Sequence, residues 1–144
     1  MKYIYYSNAD IFVTIKNKRQ ISALLIQLFK KEKKQLNQLQ YVFCSDEFLL
    51  KINKQYLLHD TYTDIITFDL SSPGDKKVDG EVYISYPRVK ENASKYEVRF
   101  YDELLRVIIH GALHLCGYKD KTKKEQINMR KKEDEYLQIF QQLK

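Results

Sequence analysis

Apolar positions alternate with polar ones in the first part of the chain and recur every three to four residues in long stretches of the second. Alternation in "YIYY" and again in "IFVTI" predicts two short opening strands broken by a "SNAD" turn. Asn17 is then expected to cap a helix from about residue 18 to 37, with Ile21, Leu24, Leu25, Leu28 and Phe29 as its apolar face. "YVFC" reads as a compact strand. Ser45, followed by Asp46 and Glu47 in a first turn, opens a helix through roughly Tyr56 that turns Phe48, Leu49 and Ile52 inward.

"HDTYTDIITFDL" joins a polar turn to an alternating β-branched and aromatic run, and "SSPGDKKVDG" separates it from a second run, "EVYIS". The pair predicts two strands joined by a long loop. Pro87 suits the first turn of a short helix to about Tyr96, and "LLRVIIHGALHLC" predicts a central helix ended by Gly117. Thr122 with Glu125 has capping-box spacing and opens a last helix, anchored by Ile127, Tyr136, Leu137 and Phe140. Met129 on that helix reads as packing. Strands followed by helices, without repeat or low-complexity linker, predict a single α+β domain over residues 1–144: a small mixed sheet packed with about five helices.

Composition narrows the setting. A chain of 144 residues with 44% apolar residues can bury one core. The net charge of +6 and pI near 9.1 favour anionic partners, nucleic acid first, although lysines scattered on two helices also suit a merely solvated surface. Cys44 and Cys116 lie in apolar contexts without CxxC spacing, as expected of buried thiols in the cytoplasm. No apolar run has the length of a membrane span, and the N-terminus lacks the pattern of a signal peptide.

The chemistry is concentrated in "HGALHLCGYKD". His110 and His114, two of three histidines in the chain, are four residues apart in the apolar helix. At i and i+4 they share one face, about 6 Å apart along the axis, and can converge on one ion. The plain alternative is a pair of core histidines bonded to backbone carbonyls. After Gly117 the chain turns, and Asp120 offers a third ligand, giving H-x-x-x-H-x-x-G-x-x-D. Three protein ligands with an open position suit a catalytic zinc better than a structural one. A metallopeptidase of this spacing carries Glu directly after its first histidine, where this chain has Gly111. Attack would then come from a metal-bound water, with the protein base not identified by sequence.

The same segment resembles the signature of the YbeY-like endoribonucleases, H-G-x-L-H-L-x-G-Y-D-H, at His110, Gly111, Leu113, His114, Leu115, Gly117 and Tyr118. "NKQYLLHDTYTDIITFDL" is similar to that family's N-x-x-Y-R-x-K-D-x-P-T-D-V-L-S-F at Asn53, Tyr56, Asp60, Thr63, Asp64 and Phe68, and "GEVYIS" to its G-D-I-x-I-S strand. The chain departs from the pattern where Asp120 replaces the third histidine, Leu57 an arginine, Tyr62 a proline and Glu81 an aspartate. The resemblance implies a single-strand-preferring, metal-dependent endoribonuclease of small-subunit ribosomal RNA maturation and ribosome quality control. An oxygen ligand at Asp120 makes a bound water less acidic and widens tolerance for manganese.

Smaller candidates surround this motif. His59 could carry a proton or hold a phosphate, or simply sit exposed in its turn. Thr63 and Asp64 could line the cleft or close the turn. Lys54, His59 and Arg88 are the cations available to stand in for the missing arginine, and His59, Thr63 and Arg88 are the expected substrate contacts. Glu103, seven residues before His110, is about 10 Å away along the helix axis, too far for direct ligation. Two rival functions remain: an RNA- or ribosome-binding factor with a structural metal, and a metallopeptidase, which Gly111 disfavours.

Overall fold

The computed structural model describes residues 3–57, 61–74 and 76–143. Four strands, β1 (Ile4–Asn8), β2 (Gln35–Cys44), β3 (Ile65–Asp69) and β4 (Lys77–Ser85), form one sheet in the order β1-β2-β4-β3. β2 runs parallel to both β1 and β4, and β3 is antiparallel to β4, so the sheet is mixed. Five helices accompany it among the described residues: α1 (Lys18–Lys31), α2 (Asp46–Tyr56), α3 (Tyr86–Lys95), α4 (Phe100–Leu115) and α5 (Lys123–Leu143).

The alternation of β2 and β4 divides the core. Leu39, Tyr41 and Phe43 of β2 and Val78, Val82 and Ile84 of β4 face the apolar sides of α1 and α4, on which α5 packs in turn. On the opposite face, Leu49 of α2 packs with Cys44 and Ile66, joined by Phe48, Ile52, Phe68 and Tyr83. Both cysteines are buried and unpaired. α4 lies in the middle of the larger cluster, with Leu105, Ile108, Ile109, Ala112 and Leu113 wholly buried. Tyr41, also wholly buried, donates its hydroxyl proton to the Ile108 carbonyl at 2.8 Å, which ties α4 to the sheet.

Gly111 explains how closely α4 can approach. A Cβ there would stand 2.9 Å from Val82 Cγ1 and 3.1 Å from Ile65 Cδ1. The position faces the sheet, so a glutamate here would enter the core instead of reaching the histidines' ligand atoms.

Several boundaries differ from the sequence pattern. "IFVTI" retains its alternation, with Phe12 exposed and Ile15 buried, yet it pairs with no strand. Asn17 adopts a left-handed conformation (φ 62°) and makes no side-chain cap; its amide donates to the Tyr101 hydroxyl at 3.2 Å instead. α1 stops at Lys31 rather than near residue 37, because Lys33 N–H bonds to the Lys30 carbonyl and Lys34 N–H to that of Phe29, a Schellman closure with Lys33 at φ 59°. The residues thus released begin β2 at Gln35, six before "YVFC". On α5, Ile127 is 66% exposed and anchors nothing, whereas Tyr136 and Phe140 are wholly buried. The Thr122 capping box forms, with Oγ1 accepting from Glu125 N–H at 3.1 Å and Glu125 Oε1 accepting from Thr122 N–H at 2.9 Å.

Candidate active site

The apolar face of α4 fixes where its two histidines can point. Their Nε2 atoms stand 3.0 Å apart at one side of the helix. Cys116 then ends α4, and Gly117, at φ 104°, lets the chain reverse. Gly117 N–H bonds to the His114 carbonyl and Tyr118 N–H to the Leu113 carbonyl, the same Schellman closure that ends α1. That reversal returns Asp120 to the histidines, with Oδ2 at 3.2 Å from His110 Nε2 and 3.4 Å from His114 Nε2. The local chain geometry therefore gathers three potential ligand atoms at one point.

Each imidazole is oriented from behind. Glu133 of α5 accepts from His110 Nδ1 at 2.6 Å, and the Tyr118 carbonyl accepts from His114 Nδ1 at 2.9 Å. With both Nδ1 protons so engaged, each Nε2 presents a lone pair to the other and to a carboxylate oxygen. Three lone pairs directed at one point repel unless a proton or a metal cation lies among them. Zinc bonds of about 2.0–2.2 Å at tetrahedral angles imply ligand separations of about 3.3–3.6 Å, close to the edges of this triangle. The donor set thus fits a divalent ion.

The surrounding charges favour the same occupant. Burial pushes the His110 imidazolium down, but the hydrogen bond and charge of Glu133, with Asp120 and Asp64 beyond, hold it above its ordinary value. Glu133 is only 5% exposed and also accepts from Arg106 Nη1 at 3.0 Å, while Arg106 Nη2 donates to Asp134 at 2.7 Å. Behind His114, the Tyr118 hydroxyl donates to Glu32 at 2.7 Å, and Glu32 also accepts from Tyr136 and Lys132. The two histidines are therefore braced from α5 and from the end of α1.

The triangle opens into a cleft of 1020 Å³ lined by Leu57, Tyr62, Thr63 and Asp64, by Glu103 and Arg106 of α4, and by Lys121, Arg130 and Glu133. Burial raises the carboxyls of Asp64 and of Glu103 above their ordinary values, in the second case with help from Asp64. Asp64 accepts a hydrogen bond from Asn92 Nδ2 at 3.4 Å.

The remaining candidates separate. Thr63 lines the cleft, with its hydroxyl donating to the Ile65 carbonyl at 3.3 Å. His59 lies outside the described residues. Arg88 is absent from the cleft walls: Nε donates to Asp46 at 3.1 Å, Nη2 makes a second contact with that carboxylate, and Glu91 lies 3.5 Å away. A guanidinium so engaged has little left for a phosphate. Glu133 is the important residue that local spacing did not reveal, and its signal was helical: Met129, Glu133, Tyr136 and Phe140 share the buried face of α5.

The sequence pattern of the family described as Endoribonuclease YbeY matches residues 4–141. The Endoribonuclease YbeY of Flavobacterium psychrophilum is 53% identical over 109 residues, covering 76% of each chain. That of Cytophaga hutchinsonii is 46% identical over 136 residues, covering 94% of each. Among solved structures, the solution structure of a Thermotoga maritima protein superposes with a TM-score of 0.61 at 28% identity, over 95% of this chain and 88% of that one. With its helix-borne histidine pair, returning aspartate and strand order in place, the chain belongs to the endoribonuclease YbeY family.

Proposed function

We propose that the chain hydrolyses phosphodiester bonds of single-stranded RNA with one divalent ion, zinc, held by His110, His114 and Asp120. The observation that carries this reading is the convergence of two oriented imidazoles and one carboxylate at the base of a large cleft. A bound ion would supply Lewis acidity toward a phosphoryl oxygen and lower the pKa of a coordinated water. Asp64, half-buried in the same cleft with its carboxyl held above its ordinary value by desolvation, is the side chain we assign to proton transfer.

Arg130 and Lys121 line the cleft, are exposed, and make no ion pair among the described residues. They take the phosphate-holding part sought for Arg88 and missing at Leu57. Family membership supports small-subunit ribosomal RNA as the substrate, with ribosome quality control as the setting. The two buried free thiols suit the cytoplasm. No helix among the described residues is long and apolar enough to cross a membrane.

Cleavage of an end-labelled single-stranded RNA, with and without a chelator, tests the reading. Wild-type protein should cut in a chelator-sensitive manner, and His114→Ala should lose both metal and cleavage. Asp64→Asn should retain the metal and lose about 100-fold in kcat. Full cleavage by His114→Ala would defeat the assignment. Intact RNA in every lane, together with salt-sensitive binding, would favour a binding factor with a structural metal.

A further inference from the structure

We propose that Tyr62 is a stacking platform for one unpaired nucleobase of the RNA, held in position by Arg88 behind it. The inference rests on the nuclease reading for its ligand class, but its evidence is separate. Positions 57 and 62, where the resembled motif carries arginine and proline, are leucine and tyrosine here, and both line the cleft. A wall that loses a guanidinium and gains an aromatic ring exchanges a phosphate contact for a surface that fits the flat face of a base.

The ring is prepared for that use. Arg88 Cζ lies 5.0 Å from the Tyr62 centroid, so one face is occupied by a cation. Arg88 is itself fixed by Asp46 through two contacts and by Glu91, and Asp46 also accepts from Ser85 Oγ at 3.1 Å. Ser85 caps α3, accepting from Arg88 N–H at 3.2 Å. The guanidinium is thereby tied to the starts of two helices and holds the ring from behind.

Tyr62 nonetheless remains 53% exposed. An aromatic ring immobilised on one face and open on the other loses little conformational entropy when a base stacks on it. Every base presents such a face, so the contact is tolerant of sequence and selects unpaired nucleotides. Tyr96, also exposed and lining the cleft, has no cation against its ring among the described residues. Of the two exposed tyrosines that line the cleft among the described residues, Tyr62 alone has this preparation.

The test measures binding of a 2′-O-methyl decauridylate and of variants carrying one abasic residue at successive positions. Tyr62→Ala should bind the intact decamer about tenfold more weakly than wild type, while Tyr62→Phe should match wild type. At one abasic position the wild-type and Tyr62→Ala affinities should become equal. The chain contains no tryptophan, so Tyr62→Trp introduces a single indole whose fluorescence the decamer should quench and inorganic polyphosphate should not. This second variant reports on the platform even if the alanine protein is unstable.

Equal binding of the decamer by wild type and Tyr62→Ala, a loss that persists at every abasic position, or no binding by wild type would each overturn the proposal. Cleavage of unmodified RNA by wild type is scored in parallel. Cleavage with no Tyr62 effect removes the platform and leaves the nuclease; abasic discrimination without cleavage does the reverse.

Discussion

His110 and His114 converge because four helical residues separate them, and Asp120 joins them because Gly117 can take a positive φ. Such relations are local, which is why the sequence disclosed all three residues. Glu133 is 23 positions from His110 in the chain and becomes its neighbour only when α5 packs on α4, a contact that no short motif contains. Its carboxylate fixes the imidazole's tautomer and would raise its basicity toward a bound ion. Glu133→Gln should therefore weaken divalent-metal binding by about 10- to 100-fold with the fold intact, as measured by competition with a chromophoric chelator. An unchanged affinity would show that the hydrogen bond is incidental. Arg88 presents the opposite case: its charge was legible, but its commitment to Asp46 depends on how α2 and α3 meet.

Among the elements, helices were easier to read than strands. Capping residues such as Ser45 and Thr122 act within one turn, and both form the hydrogen bonds that their spacing implies. "IFVTI" and the first half of β2 were misjudged because a strand exists only if a partner is available, and partners are set by topology. The end of α1 was hidden by lysines that are good helix formers, whereas the actual stop is a backbone turn through Glu32 and Lys33, with the Glu32 carboxylate accepting from Tyr118 and Tyr136.

Burial opposes ionisation of Glu32, but hydrogen bonds from Tyr136 and Tyr118, with the nearby Lys132 charge, outweigh it and hold its pKa below the ordinary value. A depressed folded-state pKa gives stability that is complete above the unfolded-state value and disappears as pH falls through the folded-state one. Glu32→Gln should accordingly lower the melting temperature at neutral pH and reduce its fall on acidification below the ordinary glutamate pKa. Parallel melting curves for the two proteins across that range would refute the assignment.

For the molecule as a whole, the net charge of +6 is spread over many surface lysines, and only the fold shows that Lys121 and Arg130 stand at the cleft. Arg130→Ala should weaken binding of single-stranded RNA and flatten the plot of log affinity against log salt by about 0.7, the loss of one phosphate contact. An unaltered slope would place the phosphate elsewhere. The α+β class and mixed sheet were evident from the order of elements, but the cleft was not, since its walls come from segments scattered from Asn53 to Glu133.

The bond from Glu133 to His110 also makes the site and α5 interdependent. Whatever free energy the seated helix lends to ion capture must, by thermodynamic reciprocity, be returned to the helix when the ion is held. On the metal-dependent function proposed, supply of the ion would set how often α5 lifts from α1 and α4, so scarcity of the ion would empty the site and loosen the C-terminal helix in the same event.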